Sequence, residues 1–376
     1  MQTKTIVVAA AAMLLATGTT QAGPIYYSAV DIGSLGGSGG TGGYGINNAG
    51  TVVGGSYTPD GNEHAFSYSN GVMTDLGTLG GTYSAADAIN NVNTIVGASF
   101  LPDGNEVAFS YSNGTMTALD IGALQGYTAA KGINDAGVIV GDGYVNPFTY
   151  SQPFESFIYS NGAYTIVSNP GGTVGSQGIN SAGTVAGGYA LNYGNFFWDS
   201  FTYSGYTLTS NNNGTFTSIP PPDSAWVSYA LAINSSGTLV GYFSDPNSNH
   251  GDHAFSYSNG TYTSLGTLPG GGSSSAEAIN NEGVIVGSSS TGSGGYDAFV
   301  YSNGVITDLN SVLLQELPTT LESATAINDA GQIVALGDNG DTYLLTPSGS
   351  GVPEPGSASL IALAALCLLS RWRLRR

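Results

Sequence analysis

The sequence predicts an all-β fold: a seven-bladed β-propeller of four-stranded blades, closed by an N-terminal strand, with a short apolar helix at the C-terminus. Three observations lead there. An Ile-Asn element recurs seven times between residues 46 and 328. An aromatic Phe-x-Tyr element follows it in most copies, so that each unit of about 45 residues has the size of a propeller blade. One strand-like segment at the front of the chain has no partner, and the last unit lacks one strand.

The Ile-Asn copies are GINNAGTVVGG (45–55), AINNVNTIVGA (88–98), GINDAGVIVGD (132–142), GINSAGTVAGG (178–188), AINSSGTLVGY (232–242), AINNEGVIVGS (278–288) and AINDAGQIVAL (326–336). Each supplies two strands, A and B, around a turn of Asn and Gly, residues that accept positive φ. Strand C is the aromatic element: AFSYSNG (65–71 and 108–114), SFIYSNG (156–162), SFTYSG (200–205), AFSYSNG (254–260), AFVYSNG (298–304) and a degenerate TYLLTPSG (342–349). Its alternation, as in Phe66-Ser67-Tyr68, has period two and predicts a strand with one buried side. The Asp-Leu-Gly pieces, such as MTDLGTLGG (73–81), read as strand D. The seventh unit has none after Leu345, and VDIGSLGG (30–37) precedes the first unit, so pairing of the two closes the ring and removes free edges.

Composition limits the function. The chain of 376 residues holds 58 glycines and only 8% charged residues, with a net charge of −19. Its basic residues are Lys4, Lys131, Arg371, Arg373, Arg375 and Arg376, so the repeat body keeps one cation, Lys131. Nucleic acid is excluded as a partner, because phosphate neutralisation needs cations on the protein. The single cysteine, Cys367, lies in the C-terminal apolar run, leaving the body no disulfide, thiolate zinc site or thiol nucleophile.

If A to D run from the centre to the rim, the A–B and C–D turns are short and alike. The B–C and D–A loops are longer, varied and share the opposite face, where binding usually lies. One acid precedes the aromatic of each strand C: Glu63, Glu106, Glu155, Asp199, Asp252, Asp297 and Asp341. These carboxylates either cap backbone N–H groups or form an acidic ring for Ca²⁺, which prefers oxygen ligands. DPNSNHGD (245–252) has Asp-x-Asn-x-Asn spacing but lacks the glycine and glutamate of an EF-hand loop. Aromatics gather in the long loops: Phe148, Tyr150 and Phe154; Tyr193, Phe196, Phe197 and Trp198; and Trp226. Flat rings beside Asn and Asp suit sugar stacking. No catalytic set stands out. The three histidines lack a Ser or Cys partner, and the Gly-rich stretch 36–45, which fits G-x-S-x-G and G-x-G-x-x-G, has no strand-turn-helix context.

The ends read as addresses, dividing the chain into 1–22, 23–348 and 349–376. At the front, Lys4, an apolar run over 6–16 and Thr20-Gln21-Ala22 form a signal peptide with a small-x-small cleavage site. At the back, the apolar run 358–369 would cover roughly 18 Å as a helix, short of the ~30 Å hydrocarbon layer. The segment Val352-Pro353-Glu354-Pro355, apolar run and Arg371, Arg373, Arg375 and Arg376 resemble the PEP-CTERM sorting signal of Gram-negative bacteria. That resemblance implies processing by an exosortase, a transient membrane anchor, and delivery to the cell surface or exopolysaccharide matrix. The units also resemble the HAF-type extracellular repeats, through His64-Ala65-Phe66 and His253-Ala254-Phe255; that resemblance implies no defined activity. The expectation is an exported, non-catalytic binding scaffold, with polysaccharide as ligand and calcium as candidate ion. A polysaccharide lyase or glycoside hydrolase with a carboxylate site on the same face, and a spacer without ligand, are the alternatives.

Overall fold

The computed structural model describes residues 25–122, 124, 127–144, 154–167, 172–191, 209–211, 215–217, 219, 227–244 and 251–348. Its compact body is Tyr27–Pro347. Of the terminal unit, Met1–Tyr26 with Ser348–Arg376, only residues 25, 26 and 348 are described. The signal-peptide segment, the sorting motif and the expected C-terminal helix therefore lie outside the described residues. Among the described residues no helix is long and apolar enough to cross a membrane.

The body is an all-β propeller with six four-stranded antiparallel sheets. In the first unit the order is Thr41–Ile46 (A), Val52–Tyr57 (B), Glu63–Ser69 (C) and Val72–Asp75 (D). The second, third, fifth and sixth units repeat it. The fourth unit shows two hairpins, Gly172–Ile179 with Val185–Leu191 and Thr209–Asn211 with Thr215–Thr217. The closing sheet takes its outer strand from the other end of the chain: Tyr27–Asp31 pairs antiparallel with Thr342–Pro347, from Tyr27 opposite Pro347 to Asp31 opposite Tyr343.

Local chemistry accounts for each hairpin. In the A–B turn of the first unit, Asn47 Oδ1 accepts the N–H groups of Ala49 and Thr51 at 3.1 and 3.0 Å, and Gly50 sits at φ +79°. The C–D turns use an Asn-Gly pair with both φ positive, as at Asn70 (52°) and Gly71 (81°), the twist a two-residue hairpin requires.

Two expectations are revised. Strand C is buried on both faces, since each sheet is sandwiched between neighbours: Phe66, Phe109, Phe157, Phe255 and Phe299 are fully buried on one side, and Ala65, Ala108, Ala254 and Ala298 on the other. The Asp-Leu-Gly pieces supply strand D only through their first residues and then leave the sheet. Strand D ends at Asp75 in the first unit, because Gly77 turns the chain at φ +71°, and the next leucine folds inward. Leu76, Leu119, Leu265 and Leu309 are buried in this way, and Ile32 does the same after the N-terminal strand, which accordingly starts earlier than VDIGSLGG suggests.

The innermost strands meet side by side around the whole ring, and a chain of side-chain amides locks them. Asn47 Nδ2 donates to Asn90 O, Asn90 to Asn134 O, Asn134 to Asn180 O, Asn180 to Asn234 O, Asn234 to Asn280 O, Asn280 to Asn328 O, and Asn328 back to Asn47 O, at 2.9–3.3 Å. All seven asparagines are buried.

Asn280→Ala removes the bond to Asn328 O and the acceptor that Val284 N–H uses at 2.8 Å. Asn328 O keeps the Gly331 N–H at 3.0 Å, but leaving the Val284 N–H unpaired costs about 1–3 kcal/mol, besides the lost ring bond. The urea midpoint should therefore fall clearly below that of the exposed control Asn281→Ala. Deletion of Tyr27–Asp31 uncovers the edge of Thr342–Pro347. It should lower the midpoint and produce concentration-dependent association by light scattering.

Candidate functional site

Each inner strand carries a β-bulge at one place, three residues before its asparagine; the register shifts fall between 43 and 45, 86 and 88, 130 and 132, 176 and 178, 230 and 232, 276 and 278, and 324 and 326. A bulge re-aims a side chain out of the regular alternation. The bulged residues are Tyr44, Asp87, Lys131, Gln177, Leu231, Glu277 and Thr325, all partly exposed along the channel wall while their preceding neighbours are buried. Within the otherwise repetitive Ile-Asn element, this position changes in every unit.

The first four units concentrate ionisable groups here. Lys131 Nζ and Asp87 Oδ2 form an ion pair at 3.1 Å, with side chains 30% and 23% exposed. Burial lowers the Lys131 pKa, but the charges of Asp87 and Asp142 outweigh it, so Lys131 is held cationic. Burial raises the Asp87 carboxyl, against the opposing pull of Lys131. Asp142 stands on strand Ile139–Tyr144, where other units have mostly Gly, Ala or Ser. It is 3% exposed, its Oδ1 has no hydrogen-bond partner, and burial pushes its pKa up to about 7.

Glu63 and Glu106 adjoin this group. Burial raises both, and Glu106 also feels Lys131 and Asp87. The backbone of each pairs in a single parallel β-bridge with a tyrosine of the following unit, Glu63 with Tyr83 and Glu106 with Tyr127. Those rings pack on a second aromatic, Tyr83 on Phe100 at 5.0 Å and Tyr127 on Tyr144 at 5.6 Å between centroids. Burial, Glu63 and Glu106 hold the Tyr83 phenol strongly in its neutral form. On the far side, Gln177 Nε2 donates to the Tyr229 hydroxyl at 3.3 Å. Gly175 lies between: a Cβ there would stand 2.6 Å from the Tyr229 hydroxyl, 3.8 Å from Asp142 Oδ2 and 3.9 Å from Gln177 Nε2.

The residues marked in the sequence fare unevenly. Glu63 and Glu106 join the channel group. Asp252 bonds the Ser244 hydroxyl, Asp341 accepts from Asn339 Nδ2 at 2.6 Å, and Asp297 lies near Asp308 and Glu322, with burial raising its pKa first and their charges second. Glu155 is raised by burial. Among the described residues no three His, Cys, Asp or Glu side chains converge to hold a metal. Asp199, Phe148, Tyr150, Tyr193, Phe196, Phe197, Trp198 and Trp226 lie outside the described residues; Phe154 begins strand Phe154–Ser160, and its side chain is not described. His64 pairs with Asp75 at 2.9 Å on the outer part of its sheet. The Gly-rich stretch runs into strand Thr41–Ile46 with no helix after it. Sequence reasoning missed Tyr44, Asp87, Asp142, Gln177 and Tyr229. The available signal was the position just before each Ile-Asn element, which differs in every unit, and the isolation of Lys131.

The other mouth is uniform. A shallow cavity of about 200 Å³ is lined by the seven Ile-Asn pairs and the residue after each.

The chain matches no protein-family model and no curated protein. Its backbone is similar to several solved structures. A puromycin-hydrolysing peptidase of Mycobacterium tuberculosis is 12% identical, with a TM-score of 0.52 over 83% of this chain and 52% of that one, so this chain spans about half its length. A virginiamycin B lyase of Staphylococcus aureus is 12% identical, with a TM-score of 0.45 over 86% and 99%. The β-propeller domain of the trilobed protease of Pyrococcus furiosus is 8% identical, with a TM-score of 0.46 over 76% and 98%. At such identities the likeness concerns fold alone.

The raised Asp142 pKa has a sign. Between the ordinary carboxyl value of 3.8 and about 7 the folded chain holds a proton that the unfolded chain has released, so stability contributed by this group falls as pH rises through that window. Asp142→Asn should remove the loss. Its melting temperature should exceed wild type at pH 8, by an amount equivalent to roughly 2–4 kcal/mol at most, and approach wild type near pH 4. Calorimetry at the two pH values checks this.

Proposed function

We propose that this propeller is an exported, non-catalytic binding scaffold of the bacterial cell surface or exopolysaccharide matrix, with polysaccharide as its ligand. The observation that carries the reading is the division between its two faces. The A–B face repeats one residue pattern seven times, whereas the chemically varied positions, the bulged residues and the B–C and D–A loops, belong to the channel wall and the opposite face. A repeated scaffold with variation confined in this way is how loop-based recognition is built. In this reading the two hairpins of the fourth unit make a seventh blade, a count that the seven-membered asparagine ring supports. The aromatic loops of that region stack on sugar rings, and the N-terminal and PEP-CTERM-like segments direct export and exosortase processing.

A second reading, a lyase or hydrolase, draws on the buried Asp142 beside Lys131 and Asp87, since a carboxyl titrating near neutrality suits proton transfer.

Both are tested by passing the purified chain over the host's exopolysaccharide, with calcium or chelator, beside Trp198→Ala. Retention weakened several-fold by the substitution, without released sugar, is the expected result. Newly formed reducing ends or unsaturated sugars would replace the scaffold reading with the enzymatic one. No retention under either condition would leave a spacer.

A further inference from the structure

The carboxylates of the channel lack a matching number of cations. Lys131 is the only Lys or Arg among residues 5–370, and it is engaged with Asp87. Glu106 and Asp142 both feel that pair, with no further Lys or Arg among the described residues, and burial raises their pKa values and that of Glu63. Asp142 keeps a buried oxygen without a partner, although buried polar groups are rarely left so. Such a group asks for a donor from outside the chain.

The surroundings narrow what that donor is. A divalent metal needs several oxygens converging on one point, and among the described residues no three His, Cys, Asp or Glu side chains converge in that way. Tyrosines lie within electrostatic reach of the carboxylates instead: Tyr83 feels Glu63 and Glu106, and Tyr127 feels Glu106. Carboxylates alternating with rings suit an ammonium group, which takes hydrogen bonds from its N–H groups to oxygen and also favours aromatic faces. Neutral polar groups continue the wall. They are the exposed Tyr44, and the Gln177 amide and Tyr229 hydroxyl, which with Asp142 Oδ2 border the space beside the Gly175 Cα, the hydroxyl already filling it.

We propose that the channel wall from the first to the fifth unit binds a primary ammonium carried by a hydroxyl-rich, sugar-sized molecule, an amine-bearing sugar. Asp142 and Glu106 accept from the ammonium, Tyr83 and Tyr127 flank it, and Gln177 and Tyr229 meet the hydroxyls. Lys131 is then a competing cation that fills part of the site. This deepens the reading of the chain as a sugar-binding scaffold and rests on it, but it places recognition in the channel rather than in the aromatic loops.

Titration calorimetry on the purified full chain with glucosamine, glucose and calcium chloride tests it. Glucosamine should bind saturably, with glucose at least about tenfold weaker. Asp142→Asn should weaken glucosamine about tenfold or more while the protein stays folded, and Lys131→Met should tighten it. Affinity should rise as pH rises through about 7, where Asp142 loses its proton, while the other carboxyls facing the site, Asp87, Glu63 and Glu106, are also raised by burial and Lys131 stays charged. Gly175→Ala, whose methyl would stand 2.6 Å from the Tyr229 hydroxyl and displace it, should weaken binding without altering charge. Equal binding of glucose, displacement by calcium, or no saturable binding by folded protein overturns the inference. Retention on exopolysaccharide without preference for glucosamine also overturns it and leaves the matrix reading standing. Glucosamine binding without such retention supports the channel site and removes only the matrix reading.

Discussion

The closed ring of asparagine amides is the constraint on which the rest of the structure depends. Each asparagine does two jobs with one side chain. Its oxygen accepts the N–H groups of its own turn, and its Nδ2 donates to the carbonyl of the next asparagine, as Asn180 does for Ala182, Thr184 and Asn234. The first bond shapes the A–B turn; the second sets the distance between neighbouring inner strands. Because these groups are buried, no water replaces a lost partner, and the cost of a break falls in full on the ring.

A second circle runs outside the first and shows how local sequence modulates it. Asn281 N–H and Nδ2 bond Asp329, Asp329 N–H bonds Asn48, Asn48 N–H bonds Asn91, and Asn91 bonds Asp135. Ser235 N–H enters this circle through Asn281. The equivalent residue of the fourth unit is Ser181, whose side chain is too short to repeat the carboxamide or carboxylate bridge. The inner ring persists there, and so the geometry of the centre survives weaker support outside it.

A tight ring of inner strands leaves one side chain per strand to line the channel, and the bulge chooses which. That position is free of the packing that makes the rest of the unit repetitive. It therefore accepts Tyr44, Asp87, Lys131, Gln177, Leu231, Glu277 and Thr325 in turn. Charge placed there is expensive: Glu277 is raised by burial even though Ser275 offers it a hydrogen bond, and Asp87 is raised despite its ion pair. An acidic chain with a single cation in its body cannot neutralise such groups from within.

Much of this was legible in the sequence, because repetition exposes local rules. The Ile-Asn turns, the Asn-Gly hairpins, the buried phenylalanines and the unmatched strand at the front follow from backbone preferences and period-two patterning, which act over a few residues. Tertiary structure decided what depends on neighbours. It ended strand D early and folded the following leucine inward, through a positive-φ glycine at Gly77 and Gly266 and through a 3-10 turn at Leu309–Val312. It buried both faces of strand C, since every sheet lies between two others. It also gathered Asp87, Lys131, Asp142 and Gln177, from three different units, around one stretch of channel, with Tyr229 reaching in across Gly175. No local pattern reports that meeting. The bulge that aims these side chains is a property of strand pairing, and their mutual charge depends on distances that only ring closure sets.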